Sequence, residues 1–239
     1  DGTPVLVRTL TDPRGLQRAR ARALQEERVT RELDADRVLR PLAVTDVAEG
    51  AQILLPDPGG RLLSRRRTAM AGDPAGFLAV AIDMTRTLVA AHRQGLTLRA
   101  IDPSLLLPDE EGHVFWMGLD RATNRTTDAD AVEAPGVLGV RAEYVSPEQT
   151  GRMNRSIDQR SDLYALGMVL YELVTGLLPF DATDAVGTIH AHLARTPIPA
   201  DARHRDVPQV IARILDRLLA KTAEDRYQSA RGLLADLQV

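Results

Sequence analysis

The segment from Leu163 to Val174 constrains the fold of this chain more than any other feature. Its apolar residues recur at helical spacing and cover most of the circumference, so the helix is predicted to be buried on nearly all sides. Ser161 is predicted to cap this helix and Gly176 to end it. A helix buried in this way needs a shell of other elements. With 239 residues, 44% of them hydrophobic, the chain can form one large domain or two small lobes sharing a cleft.

Composition excludes several classes of function. The formal net charge of -3 is unlike that of a nucleic-acid binder, and the run Arg65-Arg66-Arg67 is interpreted as a solvated helix face. The absence of cysteine rules out disulfides and thiolate chemistry, and it suits a reducing cytosol. The most apolar stretch, Phe77 to Ala91, is broken by Asp83 and Arg86 and is interpreted as too short and too charged to cross a bilayer. We therefore expect a cytoplasmic protein without membrane insertion or nucleic-acid partners.

The first third of the chain alternates between strand and helix patterns. Val5 to Arg8 reads as a short strand, and an arginine-rich helix is predicted from about Leu16 to Leu33. Two more strands are predicted at Val38 to Val44 and Ala51 to Leu55, with a turn at Glu49-Gly50. The run from residue 54 to 60 breaks every periodic pattern, as a hinge between lobes does.

The rest of the chain reads as helical. Asp73-Pro74 is a helix start, and the apolar spacing that follows predicts a core-facing helix ending at Gly95. Residues Ala122 to Gly139 lack periodicity and are predicted to form a long exposed loop. Further helices are predicted at Thr183 to Ala194, Val207 to Thr222 and Ser229 to Leu237.

One long block resembles a known family. Residues Tyr144 to Gly176 read YVSPEQTGRMNRSIDQRSDLYALGMVLYELVTG, which resembles the activation-segment exit and central helix of a protein kinase C-lobe. The resemblance extends from about Pro4 to Leu237. It implies an α+β, two-lobed fold, with a partial, β-rich N-lobe over residues 1-57 and a mainly helical C-lobe over residues 58-239.

The positions at which a kinase keeps its chemistry differ here. Phosphoryl transfer in this family uses an H-R-D motif, an asparagine five residues after the aspartate, and a D-F-G aspartate. By the resemblance these three positions hold Ala100, Leu105 and Trp116. Alanine accepts no proton, and neither leucine nor tryptophan offers oxygen to a magnesium ion. The sequence therefore predicts a catalytically inactive pseudokinase that is not an enzyme and has no cofactor, ATP-Mg²⁺ included.

Other groups near the cleft leave alternatives open. The resemblance places Arg8 where a kinase has its strand-3 lysine, and Glu26 on the following helix is its candidate partner. Arg8 and Glu26 are also weak candidates for nucleotide binding. Only seven residues precede Arg8, and Gly2 is the one glycine among them, so no glycine-rich loop is expected in this sequence. Asp102 and Asp120 are weak candidates for a displaced metal site. Their alternative roles are turn formation at Asp102 and the start of a polar loop at Asp120.

Three residues are predicted to maintain the scaffold. The resemblance aligns Ser146-Pro147-Glu148 with A-P-E and makes Arg226 the buried partner of Glu148. Asp162 resembles the aspartate that holds the catalytic-loop backbone. The same Ser-Pro-Glu triplet also reads as an ordinary helix start, with Ser146 as N-cap and Pro147 in the first position.

The sequence of residues 144-180 is similar to that of kinase-like domains found at the start of large bacterial signalling proteins. Those proteins also contain P-loop ATPase, GAF and histidine kinase modules. That resemblance implies a regulatory or docking role in signal transduction, with other domains of the same polypeptide or a signalling protein as partner. Two rivals stay open at this point. One is a weak, noncanonical phosphotransferase in which Asp102 or Asp120 converges with Arg8. The other is a sensor that binds ATP without magnesium.

Overall fold

The computed structural model describes residue 2 and residues 4-65, 69-109, 111-124, 141-182 and 184-239. Most of the predicted loop from Ala122 to Gly139, and two residues of the Arg65-Arg66-Arg67 run, lie outside these ranges. The described elements in chain order are β1 (Val5–Leu10), α1 (Leu16–Glu32), β2 (Ala43–Val47), β3 (Gly50–Pro56), α2 (Pro74–Arg93), β4 (Leu96–Thr97), β5 (Leu106–Pro108), β6 (Val114–Trp116), β7 (Thr123–Asn124), α3 (Gln159–Thr175), α4 (Ala185–Ala194), α5 (Ala200–Arg203), α6 (Gln209–Leu218) and α7 (Ala230–Leu237).

The first lobe is a three-stranded antiparallel sheet packed against helix α1. The strand order is β1-β3-β2, and Arg8 lies opposite Ile53 in the register. Alternate residues of β3, namely Ala51, Ile53 and Leu55, are fully buried, as expected for a strand with one face on a core. They form a small apolar cluster with Leu10, Ala23, Leu39, Leu107 and Met117. Arg8 lies half-buried on β1, an outer strand of this sheet.

One strand prediction was wrong in its bounds. The run predicted at Val38 to Val44 divides between two partners. Val38 forms a parallel bridge with Trp116, and Leu39 N–H donates to the Trp116 carbonyl at 2.9 Å. Pairing with β3 begins with a bond from Leu42 N–H to the Leu54 carbonyl at 2.7 Å and continues as a ladder from Ala43. The β-branched residues marked extended backbone correctly, but the change of partner depends on contacts distant in sequence.

The second lobe is organised around α3. Most residues of this helix are buried, as its apolar circumference predicts, and Gly176 ends it in the left-handed region at φ 74. The predicted N-cap was wrong, because Asp158 caps the helix through a bond from Arg160 N–H. Gly167 lets α6 approach closely, since a Cβ there would lie 2.7 Å from the Leu218 Cβ. The main core gathers around this helix and includes α2, α6 and α7.

Helix α2 has the length of a membrane span. It has 20 residues, and an 18-residue window within it has a mean hydropathy of 1.3, so by length and composition it could cross a bilayer. That length is greater than the sequence interpretation allowed. Its apolar residues Phe77, Ala81, Met84 and Leu88 are buried in the core of the second lobe. Their burial is what a core helix of this length requires.

Candidate active site

The loop that leads into the cleft is held by its main chain. Asp162, at the start of α3, accepts hydrogen bonds from Leu98 N–H at 2.7 Å and Arg99 N–H at 2.8 Å, and its Oδ2 lies 2.9 Å from His92 Nε2. Gln149 Nε2 donates to the Arg99 carbonyl at 2.7 Å. These contacts hold Arg99 at a positive φ of 63, a conformation that costs free energy for a non-glycine residue.

The residues that follow this loop line the cleft with apolar side chains. Ala100 is 7% exposed and contributes only its methyl group to the cavity wall. Leu105 lies opposite Gly118, and a Cβ on that glycine would come within 2.5 Å of Leu105 Cδ2. Gly118 has a φ of 78, so both its conformation and its lack of a side chain suit this approach.

Trp116 lies behind the cleft. It belongs to β6, pairs with Leu106 of β5, and is 1% exposed within the main core. Among the described residues, the cavity wall contains Gly118 but not Trp116. The indole Nε1 of Trp116 has no hydrogen-bond partner among the described residues.

Arg8 joins two carboxylates at the cleft. It pairs with Glu26 of α1, which is fully buried, and its Nη2 donates to Asp120 Oδ1 at 2.8 Å. Glu26 also accepts from Gly118 N–H at 2.6 Å. Arg22, one helical turn before Glu26, donates from Nε to Asp120 Oδ2 at 2.9 Å. The structure thus brings together Arg8, Glu26 and Asp120, and it adds Arg22, which the sequence interpretation missed.

Asp120 is an ionised carboxylate in this network. Burial opposes its ionisation, but Arg8 and Arg22 outweigh that effect and lower the pKa of Asp120. Burial raises the pKa of Glu26, which has to share Arg8 with Asp120. The prediction that Asp120 begins a polar loop was therefore wrong, since the residue is 6% exposed and held by two guanidinium groups.

Asp102 forms the turn that the sequence predicted as one alternative. Its Oδ1 accepts from Ser104 N–H at 2.7 Å and from the Ser104 hydroxyl, and it caps the short 3-10 helix Pro103–Leu105. Burial opposes the charge of Arg141, but Tyr144, Glu143 and Asp102 together outweigh that effect and raise the pKa of Arg141. Asp102 and Arg141 also line the same cavity.

These groups surround one cavity of about 280 Å³ between the lobes. Its lining is mostly polar and carries four arginines and two aspartates: Arg8, Arg22, Arg121 and Arg141 with Asp102 and Asp120, besides Thr9, Leu10, Thr11, Ala100, Ser104, Leu105 and Gly118. Guanidinium groups in such an arrangement suit phosphate oxygens. Asp102 and Asp120 are the carboxylates of this wall, and carboxylate oxygen is the ligand that Mg²⁺ takes.

Two of the predicted scaffold residues, Glu148 and Arg226, form a buried ion pair. Arg226 Nη1 and Nη2 donate to Glu148 Oε1 and Oε2 at 2.7 and 3.0 Å, and both side chains are buried. Ser161 Oγ adds a third bond to Glu148 at 2.7 Å. Ser146 precedes the 3-10 helix Pro147–Thr150, so the helix-start interpretation of this triplet also describes the structure.

Comparison with known proteins decides the family. The model of the protein kinase domain family matches residues 5–236, nearly the whole chain. The chain belongs to the protein kinase family. The two-lobed α+β fold predicted from the sequence is thereby confirmed.

Named relatives agree with this placement. The serine/threonine-protein kinase PksC of Streptomyces coelicolor is 31% identical over 207 residues, which are 85% of this chain and 35% of the relative. The serine/threonine-protein kinase PknB of Mycolicibacterium smegmatis is 32% identical over 166 residues, 69% of this chain and 26% of the relative. A 96-residue segment, 40% of this chain, is 46% identical to 3% of the hybrid signal transduction histidine kinase G of Dictyostelium discoideum. The chain thus spans about a third or less of the relatives it matches.

Two sequence predictions are corrected by this comparison. The chain was predicted not to be an enzyme, yet its family and its relatives are protein kinases by name, so that prediction is wrong. The prediction that ATP-Mg²⁺ has no place is wrong for the same reason, because protein kinases work with ATP and Mg²⁺. Both predictions rested on Ala100, Leu105 and Trp116, together with the expected lack of a glycine-rich loop and of the strand-3 lysine. The ion network around Arg8 could not be read from those features.

Proposed function

We propose that this domain is a phosphotransferase of the protein kinase family that binds ATP in the cleft and transfers its γ-phosphoryl group slowly, with a displaced set of charged groups. The observation that carries the proposal is the contact between Arg8 and Asp120, 2.8 Å long, in a cavity that Asp102 also lines. A noncanonical phosphotransferase requires that Asp102 or Asp120 lie at the same site as Arg8.

The arginines of the cavity would neutralise the phosphate chain. Phosphoryl transfer depends mainly on positioning and on stabilising charge on the transferred group. Arg8 lies on β1, at the position that the resemblance aligns with the strand-3 lysine of a kinase. Arg22 of α1 and Arg141, just before Tyr144, line the same cavity wall. Fixed guanidinium groups in a partly water-excluded cavity stabilise developing negative charge better than mobile solvent does.

The two aspartates would have different roles, Asp102 as a base and Asp120 as a metal ligand. Asp102 accepts hydrogen bonds from a hydroxyl and an amide through Oδ1, so it is the candidate base for an acceptor hydroxyl. Asp120 is the candidate ligand for a Mg²⁺ ion, which when bound would neutralise phosphate charge. Because Arg8 and Arg22 hold both oxygens of Asp120, a cation would compete with them for this carboxylate.

The setting of the domain is also proposed. A cytoplasmic signalling protein of several domains, in which this domain contacts its neighbours, is supported by the similarity to a segment of a hybrid signal transduction histidine kinase and by the small share of each relative that the chain covers. Co-purification of the domain with the flanking part of its polypeptide, expressed separately, tests this arrangement.

A thermal-shift titration with ATP tests nucleotide binding. A ligand that binds only the folded state stabilises it by RT ln(1 + [L]/Kd), about 2.7 kcal/mol at a hundredfold excess over Kd. We expect saturable stabilisation by ATP, increased by Mg²⁺, and weaker in Arg8→Met. Arg31→Met is the matched control, because Arg31 lies exposed on α1 and pairs with Glu27. No saturable shift with ATP, with or without Mg²⁺, would refute the proposal.

Asp120→Asn separates the two roles assigned to the cavity. Loss of this carboxylate should strengthen binding of ATP without metal, because Arg8 and Arg22 no longer share their charge with it. The same change should remove the additional stabilisation that Mg²⁺ provides. An Asp120→Asn variant that keeps the full Mg²⁺ effect would exclude Asp120 as the metal ligand.

A further inference from the structure

Ser104 is a hydroxyl that the family resemblance does not explain. It lies on the 3-10 helix Pro103–Leu105, is partly exposed and contributes to the cavity wall. Its hydroxyl donates to Asp102 Oδ1, the same oxygen that accepts the Ser104 N–H at 2.7 Å. A serine that donates to a carboxylate, itself held in place, has the geometry of a nucleophile paired with its base.

The surroundings of this pair suit a phosphoryl group. Arg8, Arg22, Arg121 and Arg141 line the same cavity as Ser104. Asp102, the partner of the Ser104 hydroxyl, lines this cavity as well. Ala100 adds only a methyl group to the wall beside this pair, so no larger side chain projects from that position. Arginines therefore outnumber aspartates on the wall that carries this hydroxyl and that ATP would reach.

We propose that Ser104 is the acceptor of the phosphoryl group, so that the domain modifies itself within its own cleft. The inference rests on the proposed binding of ATP. The Ser104 Oγ attacks the γ-phosphorus, a new Oγ–P bond forms, and the bond from the γ-phosphorus to its bridging oxygen breaks. ADP leaves with the electron pair of that bond, and the hydroxyl proton passes to Asp102. No oxidant or other co-reactant is needed.

The product would stop the reaction after one transfer. A phosphoserine at residue 104 carries close to two negative charges and strong acceptor oxygens, which the cavity arginines would hold. The modified side chain would also occupy the 280 Å³ cavity that nucleotide needs. The domain is therefore expected to react once, to about one phosphate per chain, and then to lose affinity for ATP.

Mass spectrometry can locate the modification without ambiguity. Trypsin cleaves after Arg99 and Arg121, and in the resulting peptide from Ala100 to Arg121 Ser104 is the only hydroxyl-bearing residue. The whole 239-residue chain is incubated with γ-labelled ATP and Mg²⁺ and then digested. We expect this peptide to gain one phosphoryl group that carries the γ-label, at a rate independent of protein concentration.

Variants test the acceptor role of Ser104 and the base role of Asp102 separately. Ser104→Ala should abolish the modification of this peptide, and Ser104→Thr should retain it, because threonine keeps a hydroxyl. Asp102→Asn should slow it by about a hundredfold, the usual contribution of a positioned base. Ser64→Ala is the control and should react normally, since Ser64 is exposed and lies outside the cavity wall. Thermal unfolding of each variant shows whether it is folded.

The outcomes divide clearly. An unmodified peptide in protein that ATP stabilises would overturn this inference and leave the proposed function standing, whereas no stabilisation and no modification would refute both. Transfer of a nucleotidyl group would overturn the assignment of the γ-phosphoryl step. An unchanged rate in Asp102→Asn would exclude Asp102 as the base, and a rate proportional to protein concentration would exclude transfer within one chain.

Discussion

Arg226 binds Glu148 through two parallel hydrogen bonds of 2.7 and 3.0 Å, with both side chains buried beside Tyr164. Arg226 also donates from Nε to the Ala220 carbonyl at 2.8 Å, so the guanidinium joins the segment after α6 to the segment before α3. Burial opposes ionisation of Glu148, but the hydrogen bonds and charge of Arg226 outweigh it and lower the pKa of Glu148.

Removal of either partner leaves the other charge buried without compensation. Glu148→Ala and Arg226→Ala should each lower the free energy of unfolding by roughly 3 to 5 kcal/mol. The double variant should lose much less than the sum, because it leaves neither charge unpaired. Denaturant unfolding of the four proteins completes the cycle, and additive losses would contradict a direct interaction.

His192 should make the fold sensitive to acid. It is fully buried between the Tyr164 hydroxyl and the Ala142 carbonyl, each 2.9 Å from a ring nitrogen. Burial, with the nearby charge of Lys221, lowers its pKa from 6.5 to about 4. Below pH 6.5 His192 is therefore protonated in the unfolded chain, whereas in the folded chain it becomes protonated only near pH 4. Stability from this group is complete above pH 6.5 and is lost as the pH falls to 4, on the order of 3 kcal/mol in all.

Unfolding free energies measured across that range test this assignment. In His192→Gln the loss of stability between pH 6.5 and 4 should be reduced by about the contribution of this one histidine. His190→Gln serves as the control, since His190 lies exposed on the same helix. Equal pH dependence in wild type and His192→Gln would show that another group is responsible.

Trp116 supports the core between the lobes. Trp116→Ala should cost roughly 3 to 5 kcal/mol, as truncation of a large buried side chain does. Trp116→Phe should cost less, because it keeps an aromatic ring and removes an indole N–H without a partner among the described residues. Trp116 is the only tryptophan, so intrinsic fluorescence reports this site alone. Blue-shifted emission is expected, and emission typical of water-exposed indole would contradict its burial.

Gly118 tests how closely the cleft is packed. Gly118→Ala introduces both a left-handed alanine, which costs about 1 to 2 kcal/mol, and a contact with Leu105. Gly112→Ala isolates the first effect, because Gly112 has a φ of 87 and no atom lies within 4 Å of the place its Cβ would take. Gly118→Ala should therefore be the more destabilising of the two in denaturant unfolding. Leu105→Ala in the Gly118→Ala background should recover part of the difference.

The sequence predicted the helical lobe better than the cleft. Apolar periodicity placed α3, α6 and α7 to within a few residues, because these helices bury most of their apolar residues. The bounds of α4 were also close, although only Ala191 and His192 of that helix are buried. The bounds failed where long-range partners decide them. Val38 pairs with Trp116 and not with β3, and Asp158 takes the capping role predicted for Ser161.

The candidate site was predicted residue by residue but not as a network. Arg8 and Glu26 were paired correctly by position, and a spacing of four residues between Arg22 and Glu26 was available as a signal that both face the same way. Asp120 was misjudged because its polar neighbours in sequence suggest a loop. Its burial depends on two arginines, one of them 112 residues away.

The bonds that Asp162 and Gln149 make to the main chain of Leu98 and Arg99 separate the shape of the loop from its side chains. The path of the loop is specified from a helix and a turn elsewhere in the lobe, so it does not depend on the side chain at position 100. A substitution of Ala100 can therefore alter the chemical groups offered to the cleft while the loop keeps its course.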